Sequence, residues 1–161
     1  MSGTPIPGDP GTVVTRGCFH PDHAEVIRFF EKNQVYAVQI ESTLSCPGGC
    51  RYCYASAHNP VSAELPAASI HHILHEVKEA GVRAIDWLGG DPLMRKDWYE
   101  LARAAQELGL INNIWTSGIP LADPIIAQQV AGVTSGGFVS VHLDSLDEEI
   151  YQVLHTGDPG T

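Results

Sequence analysis

Residues 35–53 read VYAVQIESTLSCPGGCRYC. The first seven, VYAVQIE, are β-branched and aromatic and have the length of a strand. The stretch ends in Cys46-Pro47-Gly48-Gly49-Cys50-Arg51-Tyr52-Cys53, a C-x3-C-x2-C pattern. In a parallel α/β sheet, ligands gather at the carboxyl ends of strands, where this loop falls. Pro47, Gly48 and Gly49 let the backbone bend tightly, so three sulfurs can converge. Three soft thiolates select zinc or an iron–sulfur cluster.

Outward from this loop, short apolar runs alternate with segments of helical period. Pro66 sits near the first turn of an expected helix over 67–80, with Ile70, Ile73, Leu74 and Val77 on one face and Gly81 as its stop. Residues 82–88 read as a second strand. Asp97 and Glu100 open a helix whose stripe is Trp98, Leu101, Ala102, Ala105 and Leu108, with Gly109 just past its end. Residues 110–116 form a third strand, and Asp123-Pro124 starts a short helix to about Val130. Residues 138–143 make a fourth strand. Ser145 or Asp144 is expected to cap a last helix with Leu146, Ile150, Tyr151 and Leu154 inward. Upstream, Asp22 with Glu25 has the form of a capping box, and Val26, Ile27, Phe29 and Phe30 give the following helix an apolar side. Strand and helix alternating four times is the signature of parallel βα units. A doubly wound sheet and a barrel-type arrangement both satisfy it.

The chain has 161 residues, 43% apolar and 17% charged, with mean hydropathy near zero. Those figures describe a single globular domain and exclude disorder as the main description. Nine basic against 19 acidic residues leave a net charge of −10, the wrong sign for an electrostatic nucleic-acid binder. No window approaches the ~18 apolar residues that a membrane span needs. The opening Met1-Ser2-Gly3-Thr4-Pro5 lacks the basic and apolar regions of a signal peptide, so a cytoplasmic location is expected. Residues 1–17, rich in Gly, Pro and Thr, read as a flexible tail, and 18–161 as the core domain. Three of the four cysteines crowd into eight residues, which in a reducing compartment argues for metal or redox chemistry over disulfides.

A closed zinc site needs a fourth ligand. Cys18, His20, His23 and His58 are available, but none sits in a second paired motif. A cubane cluster usually takes four cysteines, so three leave one iron open to a ligand that is not protein. His71, His72 and His75 lie off the apolar face of their helix and read as a solvated surface.

The C-x3-C-x2-C loop with Tyr52 before its last cysteine resembles the cluster loop of radical S-adenosylmethionine (radical SAM) enzymes. In that family the loop follows the first strand of a partial (β/α)6 barrel. The resemblance implies that Cys46, Cys50 and Cys53 ligate a [4Fe–4S] cluster whose fourth iron takes S-adenosylmethionine. Reductive cleavage of that cofactor to a 5′-deoxyadenosyl radical, for hydrogen abstraction from an organic substrate, is the implied activity.

Further stretches resemble the family. Gly89-Gly90-Asp91-Pro92 stands where Gly-Gly-Glu-Pro is common. Trp115-Thr116-Ser117-Gly118 stands where Thr-Asn-Gly is common. Val141-His142-Leu143-Asp144 is similar to Val-Ser-Leu-Asp. The resemblance therefore implies cofactor contacts at Tyr52, Gly89, Gly90, Asp91, Ser117, Ser140 and His142. Tyr54 is expected to cover the cluster, Arg51 to tune it or face solvent, and Trp87 to pack in the core or shield the site.

About four of the six βα units are expected, with the barrel truncated after the fourth strand. That leaves an edge at Phe138, Val139 and Val141, and a C-terminal partner segment is anticipated. The implied partners are a low-potential electron donor of the flavodoxin or ferredoxin type and a small-molecule or peptide substrate. Two rival expectations stand beside this one. A zinc-stabilised binding module would recruit Cys18 or His58. A remnant would bind a cluster but not turn over.

Overall fold

The computed structural model describes residues 23–57 and 64–155. The expected tail, Cys18, His20, the Asp22 cap, His58 and residues 156–161 lie outside the described residues. The elements in chain order are α1 His23–Glu31, β1 Ala37–Thr43, α2 Ala67–Glu79, β2 Ala84–Gly89, α3 Trp98–Glu107, β3 Ile111–Thr116, α4 Pro124–Val133, β4 Val139–Val141 and α5 Glu148–Leu154. One-turn 3-10 helices at Pro92–Met94 and Ile119–Ala122 follow β2 and β3.

All four strands are parallel and lie in the order β1-β2-β3-β4. A doubly wound sheet reverses its order at an internal strand. The sequential order instead winds in one direction, as a barrel does, and decides between the two arrangements left open by the sequence pattern. Neighbouring helices pack side by side, α2 on α3 and α3 on α4.

The strands alternate as half-buried strands should. Ile40, Ile85, Trp87, Ile114 and Val139 join Ile70, Leu74, Leu101, Ala105 and Val130 in one apolar core. Gln39, Glu41, Asp86, Asn113 and Trp115 occupy the opposite phase of their strands, and Asn113 donates to Asp86 across that face, at 2.7 Å. The core holds one buried amide, Asn112, whose hydrogen bonds are well supplied. It accepts from the Trp87 indole at 2.7 Å and donates to the carbonyls of Ala102 and Val133, tying β3 to α3 and α4. Trp87 is thereby a core residue, not a shield over the site.

Element ends differ from expectation for local reasons. β1 starts at Ala37, because pairing with β2 begins at Ala37 opposite Ala84. β4 contracts to three residues because β3 ends at Thr116, opposite Val141. α4 continues three residues past Val130. The cap of α5 is Asp147, whose carboxylate accepts from the Ile150 amide, and not Asp144 or Ser145. Tyr151 and Leu154 turn inward, but Leu146 is 91% exposed and Ile150 is exposed too, so α5 buries a narrower face than expected. His71, His72 and His75 are exposed on α2. Among the described residues no helix is long and apolar enough to cross a membrane.

Candidate functional site

A cleft of about 460 Å³ opens at the carboxyl ends of the strands. That volume falls in the range of small-ligand sites, roughly 300–1,000 Å³. Its walls are Cys46, Cys50, Tyr52, Cys53 and Tyr54 from the loop after β1, residues 88–90 at the end of β2, residues 115–117 at the end of β3, and residues 140–143 at the end of β4. All ten residues singled out in the sequence as site candidates except Asp91 line this cleft.

The cysteine loop leaves β1 at one edge of the sheet, yet its tip reaches β4 and α5 at the other. Three strand spacings separate those edges, about 14 Å. Near the loop's root, two glycines make the path possible. Gly90 donates to the Thr43 carbonyl at 2.6 Å, and Asp91 donates to that of Ser45 at 2.8 Å. A Cβ on Gly89 or Gly90 would fall well inside the carbonyl oxygens of Thr43 and Ser45, and Gly89 has φ +123 besides. The Gly-Gly pair thus admits the chain's own crossing strand-end. Arg95 braces the same region: its buried guanidinium donates to the Ser42 carbonyl at 2.9 Å, the Leu65 carbonyl at 2.8 Å and the Asp97 carboxylate. That bond holds the Asp97 carboxyl below its ordinary pKa.

Asp91 is fully buried and is not among the residues lining the cleft. One carboxylate oxygen accepts from the Leu93 amide at 3.1 Å. The other accepts from the Thr116 hydroxyl, the Ser117 amide and the Ser117 hydroxyl, at 2.8, 2.9 and 2.6 Å. Its carboxylate therefore joins the end of β2 to the end of β3. What this edge presents to the cleft is the backbone of Gly89 and Gly90 and the Ser117 side chain.

The three cysteines are free thiols on one wall. Burial pushes the Cys46 thiol above its ordinary value near 9, and the Asp91 charge adds to this. Burial and the neighbouring Cys53 do the same for Cys50. Such thiols lose their protons when a metal takes the proton's place, and a metal's charge removes the like-charge penalty among them. Gly48 lies beside two of the sulfurs. A Cβ there would lie 3.5 Å from the Cys46 sulfur and 3.6 Å from that of Cys50. Three soft donors around a space that a side chain would fill, opening on a cleft, suit an iron–sulfur cluster. On a cubane each thiolate takes its own iron. The sulfurs need not meet at one point, and among the described residues no three His, Cys, Asp or Glu groups are gathered tightly enough for a single ion.

Two residues of this site escaped the sequence reading. Asp144 lies at the centre of a polar cluster. One of its oxygens accepts from the Tyr52 hydroxyl, from His142 at 3.0 Å and from His155 at 2.7 Å. The Tyr52 bond, helped by both histidines, holds the Asp144 carboxyl below its ordinary value. Burial and that same carboxylate push the Tyr52 phenol well above its own. His155 is 4% exposed, stacks on Tyr151 with ring centres 4.0 Å apart, and reaches the Gly48 carbonyl at 2.6 Å. No local pattern announces this contact, since 107 residues separate its partners.

Comparison with known proteins agrees with the geometry. The Radical SAM superfamily model matches residues 40–160. The chain is 34% identical over 124 residues to a probable GTP 3′,8-cyclase of Methanopyrus kandleri, covering 75% of this chain and 38% of that protein. It is 36% identical over 103 residues to a PqqA peptide cyclase of Xanthomonas oryzae pv. oryzae, covering 60% and 27%. The chain thus spans well under half the length of these relatives. Among solved structures, Streptococcus suis SuiB bound to S-adenosylmethionine superposes with a TM-score of 0.66 at 22% identity, over 85% of this chain and 32% of SuiB, a likeness of fold. With three-quarters of its length matched by the family model and the motif cysteines gathered on one cleft, the chain belongs to the radical SAM superfamily.

Proposed function

We propose that this chain carries the cluster-binding part of a radical SAM enzyme. Cys46, Cys50 and Cys53 hold a [4Fe–4S] cluster, and S-adenosylmethionine enters the adjoining cleft. Bound there, the pair supplies one-electron cleavage of the cofactor to a 5′-deoxyadenosyl radical that abstracts hydrogen from an organic substrate. The observation that carries this reading is the placement of all three thiols on one wall, facing a polar rim at the ends of β2, β3 and β4.

The chain's own groups divide the work. The backbone of Gly89 and Gly90, half-buried on the cleft wall, offers carbonyls to an ammonium group. Asp91 acts behind them, holding the Ser117 hydroxyl in place. Ser117, Ser140 and His142 supply hydrogen bonds along the rim, and the Tyr52 ring gives a flat surface beside the thiols. Oxygen-sensitive ligation by free thiols suits a reducing cytoplasm, and reduction calls for a low-potential donor of the flavodoxin or ferredoxin type. Relatives named for a nucleotide and for a peptide share this segment. β4, with Val141 exposed, is the edge where further strands would continue the sheet.

Anaerobic reconstitution with ferrous iron and sulfide tests the reading. Brown protein with about four irons per chain is expected, and Cys46→Ala, Cys50→Ala or Cys53→Ala should each abolish it. Colourless protein, or zinc held after aerobic purification, would replace it with a zinc-stabilised binding module. A cluster that forms without cofactor cleavage would mark a catalytically incomplete remnant.

A further inference from the structure

We propose that His155 and Asp144 clasp the tip of the cysteine loop and hold it in ligating shape, so that the end of α5 is a positioning part of the cluster site. The proposal rests on the cluster reading above.

Within the eight-residue loop, Gly48 donates to the Cys46 sulfur at 3.4 Å and Cys53 to the Cys50 carbonyl at 3.2 Å. Fixing each of its residues costs backbone entropy, more at glycine. A further restraint comes from a segment some hundred residues away. His155 Nδ1 lies 2.6 Å from the Gly48 carbonyl, and its Nε2 lies 2.7 Å from the Asp144 carboxylate. The ring thus bridges a loop carbonyl and a carboxylate, one at each nitrogen. Tyr151, stacked within 6° of parallel, fixes the plane of the ring. Asp144 then receives the Tyr52 hydroxyl. Along the backbone, Arg51 donates to the Leu154 carbonyl at 2.9 Å, and Cys50 pairs antiparallel with His155.

Loop residues 48, 50, 51 and 52 are thus all fastened to residues 144–155. The Gly48 carbonyl is the grip nearest the ligands, because a Cβ on Gly48 would touch the sulfurs of both Cys46 and Cys50. α5 is otherwise loosely held, with Ile150 and Val153 exposed, so loop and helix end secure each other.

The test uses the full chain, first without metal and reduced. His155→Phe keeps a flat ring on Tyr151 and removes both ring nitrogens, and with them both contacts. Iodoacetamide labelling of Cys46 and Cys50, and hydrogen exchange at amides 48–53, should rise about ten- to hundredfold, the change expected on losing one hydrogen bond to a charged group. Exchange in β2 and α3 should stay at the wild-type rate. Adding Asp144→Asn should change little further, because both substitutions release the same clasp. After reconstitution the variant should hold less iron, with a broadened spectrum when reduced. Loop labelling and exchange within twofold of wild type would overturn the proposal. So would a rise spread equally through β2 and α3. If His155→Phe fails to fold, Asp144→Asn alone, at the cleft rim, is read by the same criteria. A loosened loop in a protein whose wild type takes no iron would leave the clasp standing and sink the cluster reading instead.

Discussion

Replacing Asp91 with Asn should destabilise the metal-free protein by about 2–5 kcal/mol. The carboxylate receives four hydrogen bonds, three on one oxygen and one on the other, and is fully buried. An amide keeps one oxygen and replaces the other with a donor. Its better orientation leaves the oxygen toward Thr116 and Ser117 and turns the NH2 onto the Leu93 amide. That amide is then buried without an acceptor, which costs about 1–3 kcal/mol, and the other three bonds fall to roughly half strength without the charge. Urea unfolding with a slope of about 2 kcal/mol/M would show the midpoint falling by about 1–2.5 M. A carboxylate serving only a bound ammonium group would leave the metal-free protein unaffected. A shift under about 0.5 kcal/mol would therefore refute the reasoning that Asp91 is a structural tie between β2 and β3.

Gly90→Ala drives a methyl into the Ser45 carbonyl and should lower stability by about 1–3 kcal/mol, whereas Gly132→Ala, with open space around it, should raise stability by about 0.4–1 kcal/mol; thermal unfolding of the pair checks both signs. Gly48→Ala meets its neighbours at 3.5–3.7 Å, ordinary contact distance, so metal-free stability should move by less than about 0.5 kcal/mol while iron uptake falls, as iron per chain after reconstitution would show. The Arg95 bond lowers the Asp97 pKa in the folded state, so its contribution is present above the unfolded value, near 3.9, and disappears as pH falls through the lower folded value. Asp97→Asn should accordingly be less stable than wild type near neutrality and converge with it in acid, measured by urea midpoints across pH.

The alternation of strand and helix was legible because each unit repeats the same local signals: β-branched runs, an apolar helical stripe, a glycine stop. The direction of winding was not, because a doubly wound sheet carries the same signals and only the strand order separates the two. The three thiols were legible because their spacing is short. The role of Gly89-Gly90 was only half legible. Their freedom shows in the sequence, but its use by the crossing at Thr43 and Ser45 depends on where β1 ends beside β2. Asp91 reads as a cofactor ligand only if one cannot see Thr116 and Ser117 closing over it from another strand. Asp144 has the look of a helix cap, and Asp147 caps instead because the Asp144 carboxylate is engaged by Tyr52, His142 and His155. His155 carries no local signal, since its partners come from a loop that crosses the whole sheet.

The most direct measurement is electron paramagnetic resonance of the anaerobically reconstituted, reduced chain with and without S-adenosylmethionine. Three cysteine ligands leave one iron open, so the account predicts a reduced-cluster spectrum that changes on adding the cofactor. A spectrum indifferent to the cofactor, or the absence of any cluster signal, would contradict it.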